Sequence, residues 1–350
     1  MANLVCALAC SHGPMLATPP ELWQLRADAD RKNPGHWFHG HALPYEKLLS
    51  QRGQDVTRFA AACRATEQRQ RYDACQHALD QLAERFFRSR PELVLVLGND
   101  QREVFKDDLT PALTVYAGER IENIPLDASQ RERLPPGVAI AEQGHCPPDG
   151  ATYPGAPEFA DMLVRALAKL HFDVARSARL PGGEDRQSGI PHAFGFLYRR
   201  IMGDAPPPSI PLFLNVGVAP NTLRARRCLE LGHALRLAIG ELPAQLRIAV
   251  LASGGMTHFV IDEALDRLVL TAMADHDEAA LAAVPEDYFN GNTAEIKCWY
   301  PLAALMRDLG WRMELIDYVP CYRTEAGTGN AMAFAAWSPP TLGEPEGVSR

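Results

Sequence analysis

Three short apolar runs, Leu4–Cys10, Leu93–Leu97 and Leu246–Leu251, each stop abruptly at polar, turn-forming residues. The first ends in Ser11-His12-Gly13-Pro14, the second in Gly98-Asn99-Asp100-Gln101, and the third in Ala252-Ser253-Gly254-Gly255-Met256-Thr257-His258. Continuous apolar runs of this length, bounded by Gly, Pro and Asn, read as strands buried on both faces, the material of parallel sheets. Strand signals recur at residues 4–11, 93–98, 112–117, 173–180, 210–218, 246–252, 312–319 and 331–337. Helical patterns lie between them, the clearest at Asp73–Arg88, Pro157–Leu170, Pro191–Met202, Asn221–Ile239, Asp262–Ala283 and Thr293–Leu309. This alternation predicts a single α/β domain whose central mixed sheet is flanked by helices on both faces. In open α/β sheets ligands collect outside the carboxyl ends of the strands, so the three polar strand ends mark a candidate site and the chain reads as an enzyme.

With 350 residues, 47% of them hydrophobic and 22% charged, the chain can bury a large core without disulfide or metal staples. A formal net charge of −8 argues against the broad basic face of a nucleic-acid binder. The local cluster Arg224-Ala225-Arg226-Arg227 falls in a helical pattern and reads as a solvated face. The eight cysteines are scattered with no C-x-x-C pair, as expected of reduced thiols. No basic stretch precedes the first apolar run, and that run is far too short to span a bilayer, so a cytoplasmic protein with neither signal peptide nor membrane partner is expected. Residues 18–72, rich in Pro, Trp and charge, read as a helical or irregular insertion over the sheet edge after the first strand. The catalytic domain is expected over 1–338, with a long Gly/Pro-rich loop from Pro135 to Gly155 and a mobile tail over 339–350.

Several residues could carry chemistry. His12 emerges where the backbone turns sharply, suited either to a hydrogen-bonded turn or to metal ligation by neutral imidazole. Glu295, in Asn292-Thr293-Ala294-Glu295, fits a capping box ahead of an apolar helix; pointed at the strand ends, it would instead be a rigid anionic ligand. His258 could serve as an acid/base group, and Gly254-Gly255 would allow close approach of a substrate or another backbone. Pro191 suits a first helical position, so the first-turn amides at His192 favour an anion. His36, His39 and His41 read as surface residues of the insertion. His77, His171, His233 and His276 read as ordinary helix positions.

In order along the chain, Ser11-His12-Gly13-Pro14, Gly98-Asn99-Asp100-Gln101, Gly189-Ile190-Pro191, Asn215-Val216-Gly217-Val218, Ser253–His258 and Thr293–Lys297 together resemble the class III extradiol ring-cleaving dioxygenases. That family is typified by the β subunit of protocatechuate 4,5-dioxygenase. The Ser11–Leu16 motif, Trp23, Asn99-Asp100-Gln101 and Pro191–Phe194 are most similar to the branch containing 3-O-methylgallate dioxygenase. The resemblance implies extradiol cleavage of a catecholic ring by O2 at non-haem Fe2+, on a carboxylated substrate of the gallate, 3-O-methylgallate or protocatechuate kind, in a homodimer. No counterpart of a small helical α subunit is evident.

By the same resemblance His12 and Glu295 match two of the family's metal ligands, and His258 its acid/base histidine. The second histidine ligand is replaced by Gln101. A substrate-facing histidine is lost as well, because Asp185-Arg186-Gln187 stands where Asp-His-Gly is usual. Three arrangements are open: Gln101 coordinates weakly or through water, His192 fills the vacancy, or the site holds no iron. The substrate-facing set is Arg186, Gly255 and Thr257, with Arg186 as a partner for a ring carboxylate. The competing readings are a non-catalytic partner subunit and a metal-dependent hydrolase on the same scaffold.

Overall fold

The computed structural model describes residues 3–135, 137–183, 186 and 189–340. Its main sheet has nine strands: β1 (Asn3–Ser11), β2 (Leu93–Gly98), β3 (Leu113–Tyr116), β4 (Ala175–Ser177), β5 (Ser209–Leu214), β6 (Arg247–Gly254), β7 (His258–Val260), β8 (Arg312–Tyr322) and β9 (Thr328–Ser338). The spatial order is β7-β9-β1-β6-β2-β5-β3-β4, with β8 paired to β9 off this path. Strands β1, β6, β2 and β5 run parallel, whereas β9 is antiparallel to β1, β7 and β8, which makes the sheet mixed as expected.

The two-residue period of a strand sends alternate side chains to opposite faces. Leu93, Leu95 and Leu97 pack on one side with the Ala225–Gly240 and Tyr300–Asp308 helices. Val94 and Val96 pack on the other with the Ala65–Ser89 helix and the His192–Ile201 segment. Ala65–Ser89 buries Cys75, Ala78, Leu79, Leu82 and Phe86, the three- and four-residue spacing of one helical stripe. The central strands therefore have no solvent face, and their carboxyl ends are the rim where polar groups can gather.

All eight strand signals correspond to observed strands; the helical patterns need more correction. Asp262–Ala283 is two helices, Glu263–Ala274 and Glu278–Ala283, because His276 turns into the left-handed region (φ 59°) and Asp277 caps the second helix through Ala280 N. Thr293–Leu309 is a 3-10 segment, Gly291–Cys298, followed by the Tyr300–Asp308 helix with Pro301 in its first turn. The insertion folds into the Trp23–Lys32 helix, a small hairpin (His36–Phe38 with His41–Leu43) and helices Tyr45–Arg52 and Asp55–Ala62. His36 is buried rather than at the surface, its Nε2 bonded to the Asp30 carbonyl at 2.8 Å, and β7 is too short to leave a periodic signal. The eight cysteines are free thiols. Among the described residues no helix is long and apolar enough to cross a membrane. The expected mobile tail lies, from residue 341, outside the described residues.

Candidate active site

Strands β1, β6 and β2 are neighbours, with Ser11 level with Gly254 and Leu97 level with Ala252, so the residues that follow them leave the sheet on one edge. The His12 amide continues the ladder onto the Gly254 carbonyl at 3.2 Å. His12 Nδ1 lies 3.0 Å from Ser253 Oγ, and the single Ser253 hydroxyl proton is donated to the Ala193 carbonyl. Ser253 can therefore only accept from His12, which places the imidazole proton on Nδ1 and turns the Nε2 lone pair outward. That Nε2 is 3.4 Å from Glu295 Oε2. His258 repeats the arrangement: Nδ1 donates to the Met256 carbonyl at 2.6 Å, and Nε2 lies 3.5 Å from the same Glu295 oxygen.

Glu295 reaches this point because Gly291–Cys298 packs directly on the end of β6. A Cβ at Gly254 would stand 2.6 Å from the Glu295 carbonyl oxygen, a contact that only glycine permits. The capping-box expectation fails here. The segment starts at Gly291, its cap residue Asn290 makes no side-chain cap bond, and the Glu295 side chain turns into the rim at 1% exposure. Burial alone would raise the Glu295 pKa, but His12 and His258 bring it down to about 2. Burial pushes His12 down to about 4 against the pull of Glu295, so the imidazole is neutral near pH 7.

Gln101 joins the same cluster. It and Arg102 both occupy left-handed backbone (φ 52° and 62°), which turns the chain so that the amide abuts Glu295 Oε1 and lies 3.4 Å from His12 Nε2. Asn292 and Asn99 stand at the margin, 3.5 Å from Gln101 Oε1 and Glu295 Oε1 respectively. His12, His258, Glu295 and Gln101 are thus brought together, from three strand ends and one 3-10 segment.

His192 lines the same cavity, edge-on to His12 with ring centroids 5.0 Å apart. Its Nδ1 is ion-paired with Glu103, and its backbone amide donates to Glu103 Oε2 at 2.9 Å, so the anion at this first helical turn is the chain's own carboxylate. Glu103 raises the His192 pKa against burial, and His192 lowers that of Glu103 likewise. His145 completes the row, 5.7 Å from His192 and pushed down to about 4 by burial. Neither Glu103 nor His145 carries a sequence signal: one lies two residues past a strand-end motif, the other in the Gly/Pro-rich loop.

The cavity holds about 260 Å³, with Leu126, Leu134 and Val138 as an apolar wall and Phe196 and Met332 adding apolar surface from the His192–Phe196 helix and β9. Gly255 lines it, and a Cβ there would press to 2.8 Å from His258 Cε1. Thr257 does not line it; its amide and hydroxyl hold the buried Asp266 at 2.8 and 2.7 Å. Arg186 is also elsewhere, in a second cavity, bonded to Asp108 at 2.5 Å and the Val104 carbonyl at 2.8 Å. Its neighbours Asp185 and Gln187 lie outside the described residues.

Residues 56–324 match the family described as the catalytic LigB subunit of aromatic ring-opening dioxygenase. The chain belongs to this family. The match takes in Gln101, His258 and Glu295 and begins after His12, which the end of β1 brings to the same site. A 2,3-dihydroxyphenylpropionate/2,3-dihydroxicinnamic acid 1,2-dioxygenase of Comamonas testosteroni is 29% identical over 170 residues, 48% of this chain and 43% of that relative. The chain's match therefore spans less than half the length of that relative. An uncharacterized protein of Escherichia coli K12 aligns with a TM-score of 0.43 at 15% identity, over 95% of this chain and 99% of that one.

Proposed function

We propose that the chain cleaves a catecholic ring by the extradiol route, adding both atoms of O2 beside the diol at a ferrous centre. The observation that carries this reading is the convergence of two imidazole nitrogens, His12 Nε2 and His258 Nε2, on one oxygen of the ionised Glu295. With neutral His12, its Nε2 lone pair faces the Glu295 carboxylate, an arrangement that repels unless a cation or a proton lies between them.

The donor set fits iron(II) at two protein positions, His12 Nε2 and the Glu295 carboxylate, with the Gln101 amide as a weaker third. It departs from the two-histidine, one-carboxylate triad at that third place. Among the described residues no group of three or more His, Cys, Asp or Glu side chains could hold a metal ion. Iron bound here would acidify the diol and hold diol and oxygen side by side. The chain's own residues do the rest. Ser253 fixes the His12 tautomer; His258 Nε2, aimed into the cavity by Met256, takes a phenolic proton and returns it to the product. Glu103 fixes the His192 imidazole in the cavity lining, and the wall of Leu126, Leu134 and Val138 excludes water.

The substrates expected are carboxylated diols, of the gallate, 3-O-methylgallate or protocatechuate kind or the dihydroxyphenylpropionate kind named for the Comamonas relative. Gln101 favours a second reading, a non-catalytic partner subunit. Anaerobic purification with iron(II), metal analysis and oxygen uptake on a panel of catechols tests both. Bound iron with stoichiometric oxygen uptake supports ring cleavage; neither iron nor uptake leaves the partner subunit.

A further inference from the structure

Among the described residues, one arginine in this cavity has neither a hydrogen-bond nor an ion-pair partner. Arg26, on the Trp23–Lys32 helix of the insertion, lines the cavity together with the rim residues, and its Nε is buried without a hydrogen bond. Among the same residues its guanidinium makes neither an ion pair nor a hydrogen bond; it rests over the Phe259 ring, 5.7 Å from the centroid. The acids around it are all engaged. Asp30 is held by Arg323 at 2.8 and 3.2 Å and by the Thr328 hydroxyl at 2.7 Å. Glu142 is held by Arg131 at 2.7 Å and the Leu126 amide at 2.6 Å, Glu103 by His192, and Glu295 by the rim.

Part-burying a guanidinium without an anion is unfavourable, and the loss is recovered when a carboxylate arrives to accept its N–H groups. The side chain is also held in place. The loop around Gly137 (φ 80°) lies on its stem, so that a Cβ there would sit 3.3 Å from Arg26 Cγ. Phe259, the ring beneath the guanidinium, follows His258 directly, with ring centroids 5.6 Å apart. Two ring contacts therefore link Arg26 to the proposed acid/base histidine along the cavity lining.

We infer that Arg26 is the anchor for the carboxylate of an aromatic diol acid, and thus the residue that makes this cavity select anionic over neutral catechols. This rests on the ring-cleavage reading for the diol end of the ligand, but not for the acid end. Arg186, the arginine that sequence alone singles out for the task, is already bonded to Asp108 and Val104 in another cavity.

The test is calorimetric binding under nitrogen, to iron-loaded and metal-free protein, of protocatechuate, 3-(2,3-dihydroxyphenyl)propionate and catechol. Wild type is expected to bind the acids more tightly than catechol. In Arg26→Met that preference falls on the order of ten- to a hundredfold, as for loss of a charge-assisted hydrogen bond. Arg26→Lys, checked for native circular dichroism, retains most of it, and Arg186→Ala retains all of it. No acid preference in wild type, an unchanged preference in Arg26→Met, or a loss in Arg186→Ala instead each overturns the inference. Oxygen uptake separates the two readings: no uptake with Arg26-dependent acid binding intact sinks ring cleavage and leaves the anchor standing. Uptake with an Arg26-independent preference does the reverse.

Discussion

The strand-end rim and the loop wall opposite handle charge in opposite ways. At the rim, His12 and His258 each bring a ring nitrogen within 3.5 Å of Glu295, and each imidazole is oriented by a partner behind it. The wall, from the insertion and the residues around Leu126–His145, is mostly apolar and holds its acids in internal pairs, leaving Arg26, among the described residues, as the cation without one. The contrast separates tasks. A rim built on adjacent parallel strands can hold reacting groups rigidly, while a wall built on loops and an inserted helix sets which ring is admitted.

The strongest attempt to break that division is Glu295→Gln, which removes the anion at the centre of the rim yet keeps the shape. It is expected to abolish iron retention and lower oxygen uptake by at least about a thousandfold, measured by metal analysis and an oxygen electrode. Retained iron would show that the rim is not the metal site. Gln101→His sharpens the same point by completing the triad, and iron affinity is expected to rise about ten- to a hundredfold in competition with a chelator. Unchanged affinity would place the third donor elsewhere.

The wall should answer differently. Leu134→Ala is expected to raise KM for ring substrates by about tenfold, and to lower kcat by far less, since it removes packing against the bound ring rather than a reacting group. A dominant kcat loss would mean that wall and rim act as one unit. The smallest effect is on stability. His12 has its folded pKa lowered from 6.5 to about 4 and Glu295 from 4.5 to about 2. In both cases the unfolded chain binds protons first, so stability of the metal-free protein is lost as pH falls, from about 6.5 to 4 through His12 and from about 4.5 to 2 through Glu295. Thermal melts should show Tm falling by a few degrees across the first window, and His12→Gln should reduce the slope there, with His145, lowered to about 4 as well, keeping the remainder.

How much of this is legible in the sequence differs by residue. His12, Gln101 and His258 each follow an apolar run that reads as a buried strand, and adjacent parallel strands deliver their ends to one edge. Glu295 is ambiguous, because a carboxylate three residues after Asn292 satisfies a capping pattern as readily as a site, and only its packing on Gly254 decides between them. Thr257 and Arg186 sit near the right motifs, yet their hydrogen bonds turn them to Asp266 and Asp108. Glu103, His145 and Arg26 carry no signal, since a lone polar residue in a loop or an amphipathic helix looks like any solvated one.

Local patterning by itself determined the α/β class, eight of the nine described strands of the mixed sheet and the three polar turns at strand ends, because hydrophobic period and turn chemistry act over a few neighbouring residues. Tertiary structure alone decided which distant side chains share the cavity. Arg26 faces Phe259, and Glu103 meets His192, only after the insertion and the loops close over the sheet. Whether a charge is left without a counter-charge depends on everything packed around it, and no segment of the chain contains that information.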